Sequence, residues 1–243
     1  MLANSSTSNT TLDATRMVFN PANAGSVAAA AARPGVAYVL GRTLYLAMTN
    51  RSNAATIVET RGPGFAMPPE SFFVPYPDPP HSLSREPEAE ELADVVDLFY
   101  EKLEIVGMGE NDPGVVFAGM GEPLLRMDQI RETIEQVHES RHGVPFRVST
   151  NGLFPPSAAV ALADAGISNA TVALATADPT QYAELMRPES GDHATVCGFI
   201  ASLAEAGVEV EATVVERPGV DVAAARKLAE ALGAGFRTRT WHP

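Results

Sequence analysis

The sequence predicts an α/β fold, an open, partial (β/α)6 TIM-like barrel with mostly parallel strands. Two observations predict this fold. Short apolar strands alternate with helical segments from residue 36 to residue 243, and six strands can be counted from TLYLAM onward. Six strands are too few for a closed eight-stranded barrel but suit an open one. A chain of 243 residues is long enough for one large domain with a sizeable core.

The elements follow one another regularly along the chain. VAYVL and TLYLAM flank Gly41-Arg42, which predicts a hairpin, and a helix is expected to begin at Pro87, because proline suits the first helical turn. Thereafter the strands VVFAG, FRVST, ATVAL, VEVEATVV and FRTRT alternate with the helical segments MDQIRETIEQVHESR, AAVALADAG, HATVCGFIASLAEAG and DVAAARKLAEALG. This alternation implies parallel pairing with right-handed crossovers.

Two segments differ from this pattern. Residues 1–36 are rich in Ser, Thr, Asn and Ala and contain one acidic residue, Asp13. That composition is typical of a disordered tail and is also similar to an organelle transit peptide. Residues 62–87, within the single domain predicted for residues 37–243, contain eight prolines. We expect a long loop there, either a lid or a surface wrap.

Composition excludes several classes of function. The formal net charge is −13, from 30 acidic and 17 basic side chains, so no basic surface for nucleic acid is expected. No apolar run approaches the roughly 20 residues of a membrane span, which favours a soluble protein of the cytoplasm or an organelle. Cys197 is the one cysteine, so an internal disulfide or a thiolate metal site is excluded. Its apolar, helical surroundings predict a buried thiol.

Ligands of such barrels bind at the carboxyl ends of the strands. That rule indicates the loops after five strands, which contain TNRSNAAT, MGEPLL, NGLFPP, ATADP and ERPGVD. A purely structural interpretation is also open, in which Gly121-Glu122-Pro123 is a helix-entry turn and Asn151-Gly152 is a tight turn.

These loops, in this order, resemble the radical SAM superfamily, and in particular the small radical SAM proteins linked to TatD-type nucleases. The similarity covers about residues 36–243 and rests on AYVLGRTLYLAMTNR, VVFAGMGEPLL, FRVSTNGL, YAELMRP and TVVERPGVDVAAARKLAEALG before FRTRTWHP. The resemblance implies a site for S-adenosylmethionine (SAM). Its amino group would lie against Gly121, Glu122 and Pro123, and its carboxylate or ribose would lie against Ser149, Thr150 and Asn151.

The chain departs from that family at the loop that holds the iron–sulfur cluster. Ser52, Thr56 and Glu59 stand at the spacing of the three cluster cysteines. Because iron–sulfur chemistry selects thiolates over hard oxygen donors, no 4Fe-4S cluster and no other metal are expected at this loop. Reductive cleavage of SAM is then not expected, and the resemblance leaves a remnant pocket for SAM or a related nucleoside.

Three hypotheses about function follow. The first is a cluster-free pseudoenzyme that binds a small molecule or acts as a scaffold. The second is an enzyme with non-radical chemistry, in which Glu59 and Glu122 form an acid–base pair. The third is a subunit of a larger assembly whose protein partner binds the 62–87 loop through its aromatic residues, Phe65, Phe72, Phe73 and Tyr76.

Three further features carry weaker indications. His138 and His142 match the HExxH zinc signature, but they stand at the end of an outer helix away from the ligand loops, which favours a chance match. Arg187 and Arg217 follow strand ends and are candidates for a carboxylate or phosphate at the barrel mouth. Surface ion pairs are the favoured interpretation of both.

Overall fold

The computed structural model describes residues 36–67, 86–103 and 114–243. The Ser- and Thr-rich tail, apart from Val36, and most of the proline-rich loop lie outside these residues. Phe72, Phe73 and Tyr76 also lie outside them, so the tail, the lid and the partner-binding loop stay predictions.

One seven-stranded sheet forms the centre of the domain, and its strands are arranged in sequence order. They are β1 (Ala37–Leu40), β2 (Thr43–Ala47), β3 (Val115–Ala118), β4 (Phe146–Thr150), β5 (Ile167–Ala173), β6 (Glu209–Val215) and β7 (Gly235–Arg239). The pair β1–β2 is antiparallel, and each later pair of neighbours is parallel. The predicted hairpin, the six parallel strands and the open α/β barrel are therefore confirmed.

Seven helices accompany the described strands: α1 (Ile57–Thr60), α2 (Ala89–Leu103), α3 (Met127–Ser140), α4 (Pro156–Asp164), α5 (Pro179–Met186), α6 (His193–Glu205) and α7 (Val222–Ala231). A short 3-10 helix, Pro123–Arg126, leads into α3. The sequence pattern predicted α2, α3, α4, α6 and α7. None of the helices in the described part of the chain has the length and apolar character needed to cross a bilayer.

The core lies between the sheet and the helices. In β4, Phe146, Val148 and Thr150 are buried and alternate with partly buried residues. Phe146 packs against Phe117 of β3, with ring centroids 5.5 Å apart, and against His138 of α3. Because side chains alternate along a strand, Ser149 lies on the opposite face, toward the barrel interior. The helices thus cover one face of the sheet, and the other face contributes to a cavity.

Candidate functional site

A cavity lies at the carboxyl ends of the parallel strands. It encloses about 720 Å³ of empty space, including its opening to solvent. The loops after β2, β3 and β4 line it, together with α1 and residues of β5, β6 and β7. The structure thereby brings the MGEPLL and NGLFPP loops together with the loop that carries Ser52 and Thr56. Small-molecule sites of such folds lie in concave pockets at this end of the strands.

Glu122 is buried in the wall of this cavity, with only 2% of its surface exposed. Its Oε1 accepts hydrogen bonds from the Thr150 hydroxyl (2.7 Å) and the Leu124 amide (3.1 Å). Its Oε2 accepts from the Asn151 amide (2.7 Å). Since an ionised carboxylate offers about four lone-pair positions, these bonds leave about one for a further donor. Glu122 therefore joins the loop after β3 to the loop after β4.

The pKa of Glu122 is raised to about 7, mainly by burial. Burial disfavours the charged carboxylate, whereas the hydrogen bonds from Asn151, Thr150 and Leu124 stabilise it and lower the pKa. The protonated and ionised forms are both accessible near neutral pH as a result.

Gly121 is required by a close approach of two backbone segments. A Cβ atom at this position would lie 2.3 Å from the Thr49 carbonyl oxygen and 2.5 Å from that of Arg51. The next amide, that of Glu122, donates to the Arg51 oxygen at 2.8 Å. Pro123 then begins the 3-10 helix that Glu122 caps. The segment is thus a helix-entry turn and also a cavity wall.

Asn151 is held by a network that reaches the loop after β2. Its side-chain amide donates to the Asn53 side-chain oxygen at 2.6 Å, and its Oδ1 accepts from the Leu153 amide at 2.9 Å. Asn53 in turn accepts a 2.9 Å backbone hydrogen bond from Glu189. Thr150 and Asn151 therefore make internal contacts, while the Ser149 hydroxyl lines the cavity with no hydrogen bond among the described residues.

The loop predicted to lack a cluster forms α1. Thr56 and Glu59 form a capping box, in which Glu59 Oε2 accepts from the Thr56 amide (2.8 Å) and the Thr56 hydroxyl (3.1 Å). Glu59 also forms an ion pair with Arg187. Hydrogen bonding from the Thr56 backbone, together with the charge of Arg187, lowers the pKa of Glu59. Glu59 thus caps a helix in its ionised form.

Ser52 and Thr56 line the cavity, but Glu59 does not. The structure consequently does not bring Glu59 and Glu122 together in one pocket. Ser52, Thr56 and Glu59, which the sequence predicts to replace the cluster cysteines, offer two neutral hydroxyls and a carboxylate already bonded within the protein. Such a donor set does not fit an iron–sulfur cluster. Within residues 36–67, 86–103 and 114–243, no group of three or more His, Cys, Asp or Glu side chains could hold a metal ion.

Several other predicted residues lie away from the cavity. His138 contacts the Val144 carbonyl oxygen through Nε2 at 3.1 Å and packs on Phe146, and His142 is exposed. Cys197 is only partly buried in α6, with Sγ 3.8 Å from Nδ1 of His193. Burial raises the pKa of this thiol.

The remaining candidates contact other parts of the chain. Arg217 lies over the Trp241 ring at 4.9 Å, whereas Arg187 pairs with Glu59 as the favoured interpretation predicted. Phe65, the described aromatic residue of the proline-rich loop, packs beside His242 with ring centroids 5.4 Å apart.

Sequence reasoning missed two cationic residues of the cavity, Arg61 and Arg239. Arg239 ends β7 at the edge where ligands bind, and the alternation within FRTRT places it on the same face as Arg237. That alternation is a signal that could have indicated Arg239. No comparable signal exists for Arg61, because its position depends on contacts with the segment after β7.

The fold and the arrangement of the loops define a member of a known superfamily. The family model described as "Radical SAM superfamily" matches residues 69–232, more than half of the chain. The chain belongs to the radical SAM superfamily. The matched range begins beyond Glu59, so membership rests on the barrel after the cluster loop.

Solved structures of radical SAM enzymes have the same fold. SuiB of Streptococcus suis, solved bound to S-adenosylmethionine, is 15% identical with a TM-score of 0.52, and the match covers 65% of this chain and 35% of SuiB. HydG, a maturase of the [FeFe]-hydrogenase, is 16% identical with a TM-score of 0.53, and the match covers 84% of this chain and 44% of HydG. HydG from Carboxydothermus hydrogenoformans is 13% identical with a TM-score of 0.56, covering 84% and 46%.

The chain therefore spans less than half the length of these proteins. At such identities the likeness shows the fold alone. Comparison with curated proteins gave no match.

Proposed function

We propose that this chain is a cluster-free radical SAM homologue that binds a small molecule in the barrel cavity and acts as a binding or scaffold protein. The observation that carries the proposal is that Ser52, Thr56 and Glu59, three oxygen donors, stand at the spacing of the family's cluster cysteines. Soft thiolates hold iron–sulfur clusters, and these three side chains offer none.

The contacts of the cluster loop support this proposal. Its backbone is hydrogen-bonded to two other segments. The Ala55 amide donates to Met186 (2.6 Å) and the Asn53 oxygen accepts from Glu189 (2.9 Å) near the end of α5, and the Arg51 oxygen accepts from Glu122 (2.8 Å) in the loop after β3. The capping box and the ion pair with Arg187 complete the loop. These protein contacts support the loop at the place where a cluster would otherwise organise it.

The ligand we propose is SAM or a related nucleoside. Gly121 and Glu122 lie in one wall of the cavity, and Ser149, Thr150 and Asn151 lie beside them. Glu122 retains about one acceptor position for an ammonium group, and Ser149 presents a hydroxyl. The fold also occurs in SuiB, which was solved bound to SAM.

The cluster prediction is tested by anaerobic reconstitution with iron and sulfide. The wild-type chain is compared with a variant carrying Ser52→Cys, Thr56→Cys and Glu59→Cys, which restores the three thiolates. We expect stoichiometric iron and visible cluster absorbance in the variant and neither in the wild type. If the wild-type chain assembles a stoichiometric cluster, the proposal is rejected.

The remnant pocket is tested by calorimetry with SAM, S-adenosylhomocysteine and adenosine. Ser149→Ala is expected to weaken the binding of the nucleoside by about fivefold, the effect of losing one hydrogen bond of about 1 kcal/mol. Ser157→Ala, at an exposed position of α4 outside the cavity, is the matched control and should leave affinity unchanged. If none of the three compounds binds, the nucleoside assignment is rejected.

Glu122 also favours a second candidate function, general acid–base catalysis in the cavity by a single carboxyl group. A pKa of about 7 is well matched to proton transfer at neutral pH. Glu59, the partner that the sequence suggested, does not line this cavity. The catalytic proposal therefore rests on Glu122 alone, and it loses its support if Glu122→Ala changes no detected activity or binding.

A further inference from the structure

The β7 side of the cavity contains a cation without a counter-charge in contact. Arg239 ends β7 and lines the cavity. Its guanidinium makes no hydrogen bond and no ion pair with any residue that the structure describes. A partly buried cation with open donor positions facing a cavity is an unusual arrangement, because buried charges are normally paired.

The neighbouring arginines are engaged elsewhere. Arg237 forms an ion pair with Glu211 at 2.6 Å. Arg61 donates through Nε to the Thr240 carbonyl oxygen at 3.0 Å and lies over the Phe65 ring at 4.7 Å. Two guanidinium groups, those of Arg237 and Arg61, and one carboxylate, that of Glu211, therefore act electrostatically on Arg239. This local excess of positive charge occurs in a chain whose formal net charge is −13.

The surroundings of Arg239 destabilise its charged form. Burial lowers its pKa most, and the charges of Arg237 and Arg61 lower it further, against smaller opposing effects of Glu211 and Tyr45. An anion in the cavity would relieve both effects, since it would neutralise the guanidinium and satisfy its donors.

Hydroxyl groups line the cavity between this cation and the proposed SAM subsite. Ser149 of β4 stands opposite Thr171 of β5, and both line the cavity, as does Thr213 of β6. Arg239 stands opposite Val215 of β6, so it lies three strands from Ser149 in the sheet order. Three strand spacings are roughly 14 Å along the sheet. Arg239 and Ser149 consequently stand at opposite ends of the row of strands that line the cavity.

We propose that Arg239, with Arg61 beside it, binds an oxyanion, a carboxylate or phosphate group of the small molecule that occupies the cavity. The planar guanidinium fork matches both groups in a bidentate geometry. The inference deepens the proposed function, because it assigns a charge and a position to part of the ligand. It does not depend on whether that ligand is a nucleoside.

The test uses the full chain with inorganic phosphate and with malonate as probes, at ionic strength matched with chloride. Arg239→Gln removes the charge, and Arg239→Lys keeps the charge but removes the fork. Arg131→Gln is the control, because Arg131 is an exposed arginine of α3 that does not line the cavity. We expect Arg239→Gln to weaken binding of the preferred probe by about tenfold, Arg239→Lys to weaken it less, and Arg131→Gln to have no effect.

A thermal melt without added anion separates a binding role from a structural one. Because Arg239 makes no stabilising ion pair with the described residues, Arg239→Gln should melt at the wild-type temperature or above it. A large loss of melting temperature would show a structural role and overturn the inference. So would equal affinity of wild type and Arg239→Gln, or no binding of either probe above chloride.

The oxyanion site and the proposed nucleoside binding can be rejected independently of each other. Unchanged nucleoside binding in Arg239→Gln, with neither anion bound, overturns the oxyanion site and leaves the proposed function standing. Anion binding that requires Arg239, with no nucleoside bound, supports the oxyanion site and rejects the nucleoside assignment.

Discussion

The side chain of Asn151 donates a 2.6 Å hydrogen bond to the side chain of Asn53. Asn53 lies between Ser52 and Thr56, in the loop that the sequence predicts to correspond to the cluster loop of radical SAM enzymes, and Asn151 follows the strand β4. One hydrogen bond therefore joins the loop that contains Ser52 and Thr56 to the residues predicted to bind a nucleoside. It adds a side-chain contact to the backbone hydrogen bonds, the capping box and the ion pair that hold this loop.

The first prediction concerns the energy of that link. Asn53→Ala and Asn151→Ala should each lower the free energy of unfolding by about 1–2 kcal/mol, because each leaves a largely buried polar group without its partner. In a double-mutant cycle measured by urea unfolding, the coupling energy should be about 1 kcal/mol. Strictly additive losses would show that the two side chains do not stabilise the loop together.

The second prediction concerns Glu122 and pH. The pKa of Glu122 is about 7 in the folded chain, against 4.5 for the unperturbed group. The folded chain thus binds more protons than the unfolded chain between these values. The stability that Glu122 contributes is full below pH 4.5 and is lost as the pH rises through 7.

Glu122→Gln removes this titration and provides the comparison. Between acidic pH and pH 8, wild type should lose roughly 3 kcal/mol relative to the variant, which corresponds to the size of the pKa shift. Any constant cost of the Gln side chain cancels, because only the pH dependence of the difference in unfolding free energy is used. A difference that stays flat with pH would contradict the raised pKa.

The third prediction concerns the backbone contact between the segment after α1 and His242. The Gly64 amide donates to the His242 oxygen at 3.1 Å, and the His242 amide donates to the Arg61 oxygen at 2.9 Å. Gly62, between them, has φ +102°, and a Cβ there would lie 2.2 Å from the His242 oxygen. Gly62→Ala should therefore destabilise the chain by both strain and steric clash.

Gly41→Ala is a matched control for this effect. Gly41 has φ +63°, and no atom lies within 4 Å of the position that a Cβ would take, so alanine there adds backbone strain alone. We expect Gly41→Ala to cost about 1 kcal/mol and Gly62→Ala to cost about 2–3 kcal/mol in chemical unfolding. Equal losses of unfolding free energy would indicate that the contact with His242 moves to admit the Cβ atom at no cost.

The strands and most helices could be predicted because their signals are local. Apolar runs and terminal glycines indicated β3 to β7 and the longer helices. Helix α5 was missed because Asp178-Pro179 resembles a loop, although the Asp178 side chain accepts from the Thr180 and Gln181 amides and so begins a helix.

The site could be predicted only in part. The sequence indicated Glu122 and Asn151, because both stand in loops that follow strands and that resemble the SAM-binding loops of the radical SAM superfamily. It could not indicate that Glu59 would pair with Arg187, a residue 128 positions away held at φ 43°. The alternation within FRTRT could have indicated Arg239, but it does not by itself tell which face of β7 lines the cavity.

The last prediction compares two buried tyrosines whose hydroxyl groups differ in hydrogen bonding. The Tyr182 hydroxyl of α5 is buried with no hydrogen-bond partner among the described residues, whereas the Tyr38 hydroxyl of β1 accepts from the backbone of Gly119. Removing an unsatisfied buried hydroxyl relieves its desolvation penalty, and removing a satisfied one loses a bond and leaves the amide unpaired. Tyr182→Phe should thus raise the free energy of unfolding by about 1 kcal/mol, and Tyr38→Phe should lower it by about 1–2 kcal/mol.

Urea unfolding of the two variants beside wild type measures both changes at once. Both substitutions remove a single oxygen from a ring that stays buried, so packing is nearly constant and the sign of each change reports the hydrogen bonding. If Tyr182→Phe destabilises the chain as much as Tyr38→Phe, the Tyr182 hydroxyl has a partner such as a buried water molecule. Opposite signs would establish that α5 carries an unpaired polar group beside His193, whose ring centroid lies 5.3 Å away.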